Sequence, residues 1–499
     1  MSLLIRGAAG LLIGSGGGVS KLLADLKAYK AADHAGQVIK VSDVAEAPNT
    51  FTWAYSVNGT WKSVYQQTII SYDPITPTAL RVASLYNVVS NGSVSTGAET
   101  DGYIAMPFIV GNDQSTVSLG DYNFMKRSSA PATVFGSETI GNSYMILQAA
   151  IEMNGYSSPV YFSGARSYLV ADGLAEIVSD DILANKFGFA NGIIPAGTKG
   201  WIKFETRLPS TTAKIGITDK YMPIFNDANA GTGQGSVWQS ISYNPANTSL
   251  SSIDAVGAVR TVTGTAGTVQ NKWKNPILLG RPVNANAPSN FYNGDSETAG
   301  YSDDLQPAIL GTGYPGGIQL ALAAGKKMPS LNFAAVGWMT LNSKPDDRVG
   351  AWLKYCKTCT VMLGTNDLTA TTTDAQTLFN SLSSVVAEMK SRAGSGSKCA
   401  VLKVPPRTTG SLATEDAQAI YSTYVSGGVN DQYSALIDAA GFDLVIDLAS
   451  TRGTDTRKWY SGSGAPWTGD GIHGTKTMQR NRMGPEALTK LSTFFGIAA

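Results

Sequence analysis

The chain has 499 residues, more than one hydrophobic core usually organises, so two or three domains are expected. A formal net charge of +1, with only 15% charged residues, excludes the basic excess that a nucleic-acid or acidic-membrane partner would require. Three cysteines, Cys356, Cys359 and Cys399, are too few for a disulfide framework, and the Cys356 and Cys359 pair lacks the second pair of ligands of a structural zinc site.

Residues 1–18 are apolar and Gly-rich, but a basic start, continuous apolar centre and cleavage site do not follow in order, so they read as an arm. No apolar run approaches the roughly 20 residues of a membrane span. Over residues 20–30, Leu22, Leu23, Leu26 and Tyr29 recur at helical spacing and predict a short amphipathic helix. The period then becomes two. Phe51, Trp53, Tyr55 and Val57 alternate with polar residues, Asn58-Gly59 supplies a two-residue turn, and Trp61 and Tyr65 continue beyond it, which predicts a hairpin. Trp53, Tyr55, Trp61 and Tyr65 are expected to fill a buried face, with a sugar-stacking platform as the alternative. Strand-like stretches follow at residues 104–110, near Tyr161, and at 201–206 and 214–218, separated by Gly, Pro, Asn and Ser clusters. Short strands with frequent turn signals predict a sandwich- or jelly-roll-like region. Residues 228–236 read as a Gly-rich loop, and the Thr/Gly-rich stretch 261–270 as a domain linker.

From about residue 272 strands alternate with helices. Residues 331–336 and 360–363 are short apolar runs of buried-strand type. Across residues 374–392, Leu378, Leu382, Val385, Val386 and Met389 follow helical spacing, with Thr373 or Asp374 as the N-cap. A strand at 399–404, a further helix, a strand at 443–447 and a last helix opened by Pro485 complete the pattern, with Leu488, Leu491, Phe494 and Phe495 on the inner side of that helix. Such alternation predicts a parallel sheet covered by helices on both faces, with its site at the carboxyl ends of the strands. The expected organisation is an arm at 1–45, a β-rich region at 46–271 and an α/β domain at 272–499.

Only two histidines occur, His34 in a polar stretch and His473 at the end of an Asp-x-x-His sequence. Imidazole alone titrates unperturbed near neutral pH, so a hydrolase of this composition would use His473 as its base. A serine hydroxyl attacks only when a base takes its proton, and imidazole does this best when a carboxylate fixes its tautomer. Ser296 can supply the hydroxyl and Asp470 the carboxylate. The backbone amides of Ser296 and Gly337 and the side-chain amide of Asn366 are candidate donors to the oxyanion that forms as an ester carbonyl becomes tetrahedral.

Gly294-Asp295-Ser296, Gly337, Gly364-Thr365-Asn366-Asp367 and Asp470-x-x-His473, in this order, resemble the blocks of the SGNH (GDSL-type) hydrolase family. The resemblance covers about residues 285–499 and departs at Glu297, where the family usually has Leu or Ile. It implies a three-layer α/β hydrolase domain and a Ser, Gly, Asn, His tetrad forming an acyl-serine intermediate, without metal or cofactor. The β-rich, Gly/Ser/Thr/Asn-dominated first half joined to such a domain is similar to bacteriophage tail-spike and tail-fibre esterases. That likeness implies a homo-oligomer, a trimer by preference, mounted on a virion through its N-terminal region among other virion proteins. Its implied activity is removal of O-acetyl groups from bacterial surface polysaccharide. A non-catalytic structural or glycan-binding virion protein that keeps the fold, and a secreted esterase, are the alternatives.

Overall fold

The computed structural model describes residues 78–499 except 86, 89–91, 96–98, 127–136, 219–238, 258–259, 269–271, 274–275, 301–316, 341–342, 370–373, 395, 411, 463–466 and 498–499. Before residue 78 it describes only strands. The chain divides into two compact units, Met1–Thr76 and Pro77–Ala499.

In the first unit Leu3–Gly7 pairs antiparallel with Gly10–Gly14, so part of the arm is a hairpin. The expected helix at 20–30 is not what forms at its start: Ser20–Leu22 is a strand pairing in parallel with Val38–Ser42, and the remainder lies outside the described residues. The hairpin forms as read, with Thr50–Val57 paired to Thr60–Thr68 and Val57 opposite Thr60. The side chains of its aromatic residues lie outside the described residues, as do His34 and the loop at 228–236.

In the second unit the β-rich part consists mainly of antiparallel sheets. The largest runs Tyr156–Val160, Tyr144–Met153, Lys199–Arg207, Asp101–Ile109, Gln239–Leu250, Val262–Thr268. The stretch expected to be a linker, 261–270, is therefore a strand at the end of this sheet. Its alternating Thr and Gly residues form the ladder through backbone groups alone, a pattern that carries little apolar signal. A second sheet runs Ile177–Val178, Gln114–Asp121, Ile277–Pro282, Arg81–Val82. The two sheets share one core in which Ile104, Met106, Phe108, Ile202 and Phe204 meet Val117, Leu119 and Leu278.

The rest of the second unit is built on a parallel sheet in the order Leu444–Ile446, Lys398–Leu402, Thr358–Met362, Asn290–Gly294, Ser330–Asn332, Asn87–Val88. One face carries Asp347–Leu353, Ala375–Ala393 and Val429–Ala439 over Phe291, Leu331, Val361 and Val401. The other carries Gly317–Lys326 and Gly484–Phe495 over Tyr292, Met362, Leu402 and Ile446. Alternate residues of one strand thus feed opposite cores, which is why the strands read as continuous apolar runs. In Ala375–Ala393 the Asp374 carboxylate caps the Thr377 N–H, and Leu378, Leu382, Val385, Val386 and Met389 are all buried. Pro485 does not open its helix. Helical backbone begins after Thr475 and passes through a wide π-turn at Gln479–Met483, which gives room where the proline ring would crowd the carbonyl four residues earlier.

Two pairings cross the expected boundary at 271/272. Ile277–Pro282 belongs to an antiparallel sheet, and Asn87–Val88 extends the parallel one. Asn87 is buried, its amide donating to the Ser84 and Ser330 carbonyls and its Oδ1 accepting from the Leu278 N–H.

Candidate active site

Asn290–Gly294 is central in the parallel sheet, and the chain leaves it in a tight turn in which the Ala299 N–H returns to the Asp295 carbonyl. Gly294 must lack a side chain, because a Cβ there would stand 2.8 Å from the Met362 carbonyl and 2.2 Å from Thr298 Oγ1. Ser296 follows, 2% exposed, at the carboxyl end of the strand.

The two neighbouring strands deliver the other blocks. The strand expected at 331–336 is shorter, Ser330–Asn332, so Gly337 sits beyond its end in a turn rather than terminating it. Beyond Asn332 the Phe333 and Ala335 N–H groups still donate to the Tyr292 and Gly294 carbonyls of the central strand, while the Ala334 N–H donates to Asn332 Oδ1. Gly337 adopts φ +79°, a conformation that favours glycine. On the other side Thr358–Met362 leads to Asn366, whose Nδ2 donates to the Trp338 carbonyl at 2.9 Å. The adjacent Asp367 carboxylate accepts both the N–H and the hydroxyl of Thr340. The third block thus holds the segment that follows Gly337, at Trp338 and Thr340, although no role for Asp367 was expected from the sequence.

The last block arrives from the far end of the chain. Asp470 Oδ1 accepts the N–H groups of Ile472 and His473, both at 2.8 Å, and its Oδ2 lies 2.6 Å from His473 Nδ1. His473 Nε2 lies 2.8 Å from Ser296 Oγ. The carboxylate selects the tautomer with the proton on Nδ1, leaving the Nε2 lone pair towards the hydroxyl. Partial burial pushes the Asp470 carboxyl up, but hydrogen bonds from the His473 ring and from the His473 and Ile472 N–H groups outweigh it and bring the group down to about 2. Asp470 is therefore ionised at neutral pH.

Beneath the nucleophile lie two buried carboxyls. Desolvation moves Asp295 up to about 6, against hydrogen bonds from Thr365 and the Glu297 N–H. Desolvation and then the neighbouring Asp295 push Glu297 well above the usual carboxylate range. Glu297 Oε1 accepts the Gly474 N–H at 3.0 Å.

The structure therefore brings Ser296, His473 and Asp470 into one hydrogen-bonded line and joins Asn366 to the turn containing Gly337. Glu297 was legible only as a departure from the family pattern, and no spacing signal marks Gln479, which reaches the same loop. Cys356, Cys359 and Cys399 are buried free thiols. Among the described residues no group of three or more His, Cys, Asp or Glu side chains could hold a metal ion, and no helix is long and apolar enough to cross a membrane.

Residues 293–480 match the GDSL-like Lipase/Acylhydrolase family. No protein of curated function matches the chain. Among solved structures, a carbohydrate acetylesterase from Sinorhizobium meliloti is 20% identical, with 41% of this chain and 99% of that chain covered at a TM-score of 0.29. The aryl esterase of M. smegmatis is 17% identical over the same shares at a TM-score of 0.28. A phospholipase A1 from Streptomyces albidoflavus is 16% identical, again over 41% and 99%, at 0.28. Likenesses this low assign neither activity nor substrate.

Proposed function

We propose that this chain, which carries a GDSL-like lipase/acylhydrolase domain at residues 293–480, is a serine esterase with Ser296 as nucleophile, His473 as base and Asp470 as the carboxylate that orients it. The observation that carries the reading is the unbroken line from Asp470 Oδ2 through His473 to Ser296 Oγ, with contacts of 2.6 and 2.8 Å.

Ser296 Oγ attacks the ester carbonyl while its proton passes to His473 Nε2, and the ionised Asp470 stabilises the resulting imidazolium. The carbonyl oxygen takes the negative charge and is met by the N–H groups of Ser296 and Gly337 and by the second N–H of the Asn366 amide, whose first is held by Trp338. Collapse of this intermediate expels the alcohol, which takes the proton back from Nε2, and leaves an acyl-serine. Water, deprotonated by the same imidazole, releases the acid.

The proposed substrate is an O-acetylated bacterial surface polysaccharide, and the proposed setting is a phage particle, in which the chain acts extracellularly as a homo-oligomer, a trimer by preference. The strand-rich first half, with its high content of Gly, Ser, Thr and Asn, supports that setting. The test is release of acetate from p-nitrophenyl acetate and from acetylated surface polysaccharide. Ser296→Ala is expected to abolish release from both while binding to the polysaccharide is kept. Full activity in that variant would reject the assignment, and an unmodified protein that binds the glycan but frees no acetate would be an adhesin.

A further inference from the structure

The turn that bears Ser296 and the loop that bears His473 are joined at two successive residues of each. Ser296 Oγ meets His473 Nε2 at 2.8 Å, and one residue further along both segments Glu297 Oε1 accepts the Gly474 N–H at 3.0 Å. The same Gly474 is held from its other side, where its carbonyl accepts from Gln479 Nε2 at 3.1 Å. Glu297 and Gln479 are buried, 2% and 1% exposed, so neither contact competes with water. The backbone immediately after the imidazole is thereby fixed by two side chains, one from the nucleophile turn and one from the helical segment beyond.

We propose that Glu297 is a positioning residue that, through the Gly474 N–H, keeps the His473 ring in line with the Ser296 hydroxyl. The inference rests on the esterase reading above. It also gives a physical role to the position where the family usually has Leu or Ile, side chains that could pack there but could not accept a hydrogen bond. The contact needs an acceptor, not a charge. Burial and then the neighbouring Asp295 push the Glu297 carboxyl well above the usual carboxylate range, and Oε1 can accept from the Gly474 N–H in either protonation state.

Three variants test it: Glu297→Gln, which keeps a carbonyl acceptor; Glu297→Leu, which keeps bulk and loses the acceptor; and Gln479→Met, which frees the other side of Gly474. A displacement of about 1 Å at a reacting group costs on the order of a hundredfold in rate. E297L and Q479M are therefore expected to lower kcat about tenfold to a hundredfold with KM within about twofold, while E297Q stays within about threefold of the wild type. Wild-type kcat in both E297L and Q479M, or an E297Q that falls as far as E297L, would overturn the proposal. The proton resonance of His473 Nδ1–H, followed with isotopically labelled histidine and identified by its absence in His473→Ala, provides a readout independent of turnover. It is expected to stay sharp in E297Q and to broaden in E297L. If the wild type hydrolyses no ester, the esterase reading fails by itself, and an unchanged resonance in E297L then overturns the positioning role separately.

Discussion

The side-chain amide of Asn366 donates to the carbonyl of Trp338, the residue next to Gly337, and so couples the turns after two different strands of the parallel sheet. One amide proton sets the geometry of the Gly337 turn, and the other is free to meet an oxyanion. Asn366→Ala removes both. It is expected to lower kcat by roughly a hundredfold to a thousandfold with a small change in KM. Steady-state kinetics on an aryl acetate would show this, and an unchanged kcat would remove Asn366 from the oxyanion site.

Asp470 titrates near 2, below the ordinary carboxylate range, because three hydrogen bonds favour its charge. A group depressed in the folded state adds stability that is fully present above its unfolded value, about 4, and is lost as the pH falls towards the folded one. The melting-temperature difference between the wild type and Asp470→Asn is expected to stay constant from neutral pH down to about 4 and to close towards pH 2. At neutral pH the same variant is expected to lose roughly a hundredfold or more in kcat through the wrong imidazole tautomer.

Asp295 behaves oppositely. Its folded value of about 6 lies above the unfolded one, so between about 4 and 6 the folded state holds a proton that the unfolded state has released. Stability falls as the pH rises through that window, by about 3 kcal/mol for a shift of this size. Asp295→Asn cannot ionise and keeps an oxygen for the Glu297 N–H, so its stability relative to the wild type is expected to grow across the window and then level off. Denaturant titrations at pH 4, 5, 6 and 7 would reveal a flat difference if the assignment is wrong.

The pairing of Asn87–Val88 with Ser330–Asn332 makes the hydrolase sheet depend on residues far upstream of residue 272. Asn87 also bonds to Leu278 and Ser330. A fragment starting at residue 77 is expected to be soluble and to melt cooperatively, whereas one starting at 272 exposes the edge of Ser330–Asn332 and the apolar residues Ile277 and Leu279 and is expected to aggregate. Equal solubility and melting of the two would contradict this dependence.

The parts of this molecule that could be read from its sequence are those whose signal is local. The Asp470 to His473 spacing lies within one loop, and the periodicity of Leu378 to Met389 lies within one helix. Both depend on residues close in the chain. The strand at Val262–Thr268 was hidden because Thr and Gly contribute backbone pairing and little apolar pattern, and Ser20–Leu22 because its partner strand lies elsewhere in the chain. The stretch at 331–336 read as one strand because it is mostly apolar, and the Phe333 and Ala335 N–H groups do bond to the central strand, but the regular strand ends at Asn332 and Val336 is exposed. Glu297 was visible as an unusual residue, but its contact with Gly474 spans 177 positions and exists only once the sheet has formed.

The most direct measurement is covalent labelling of the folded protein with a fluorophosphonate, which reacts with a hydroxyl activated by a neighbouring base, followed by mass mapping of the labelled peptide. The account predicts a single adduct on Ser296, absent from Ser296→Ala and strongly slowed in His473→Ala. An adduct on another serine, or none on a folded and intact chain, would contradict it.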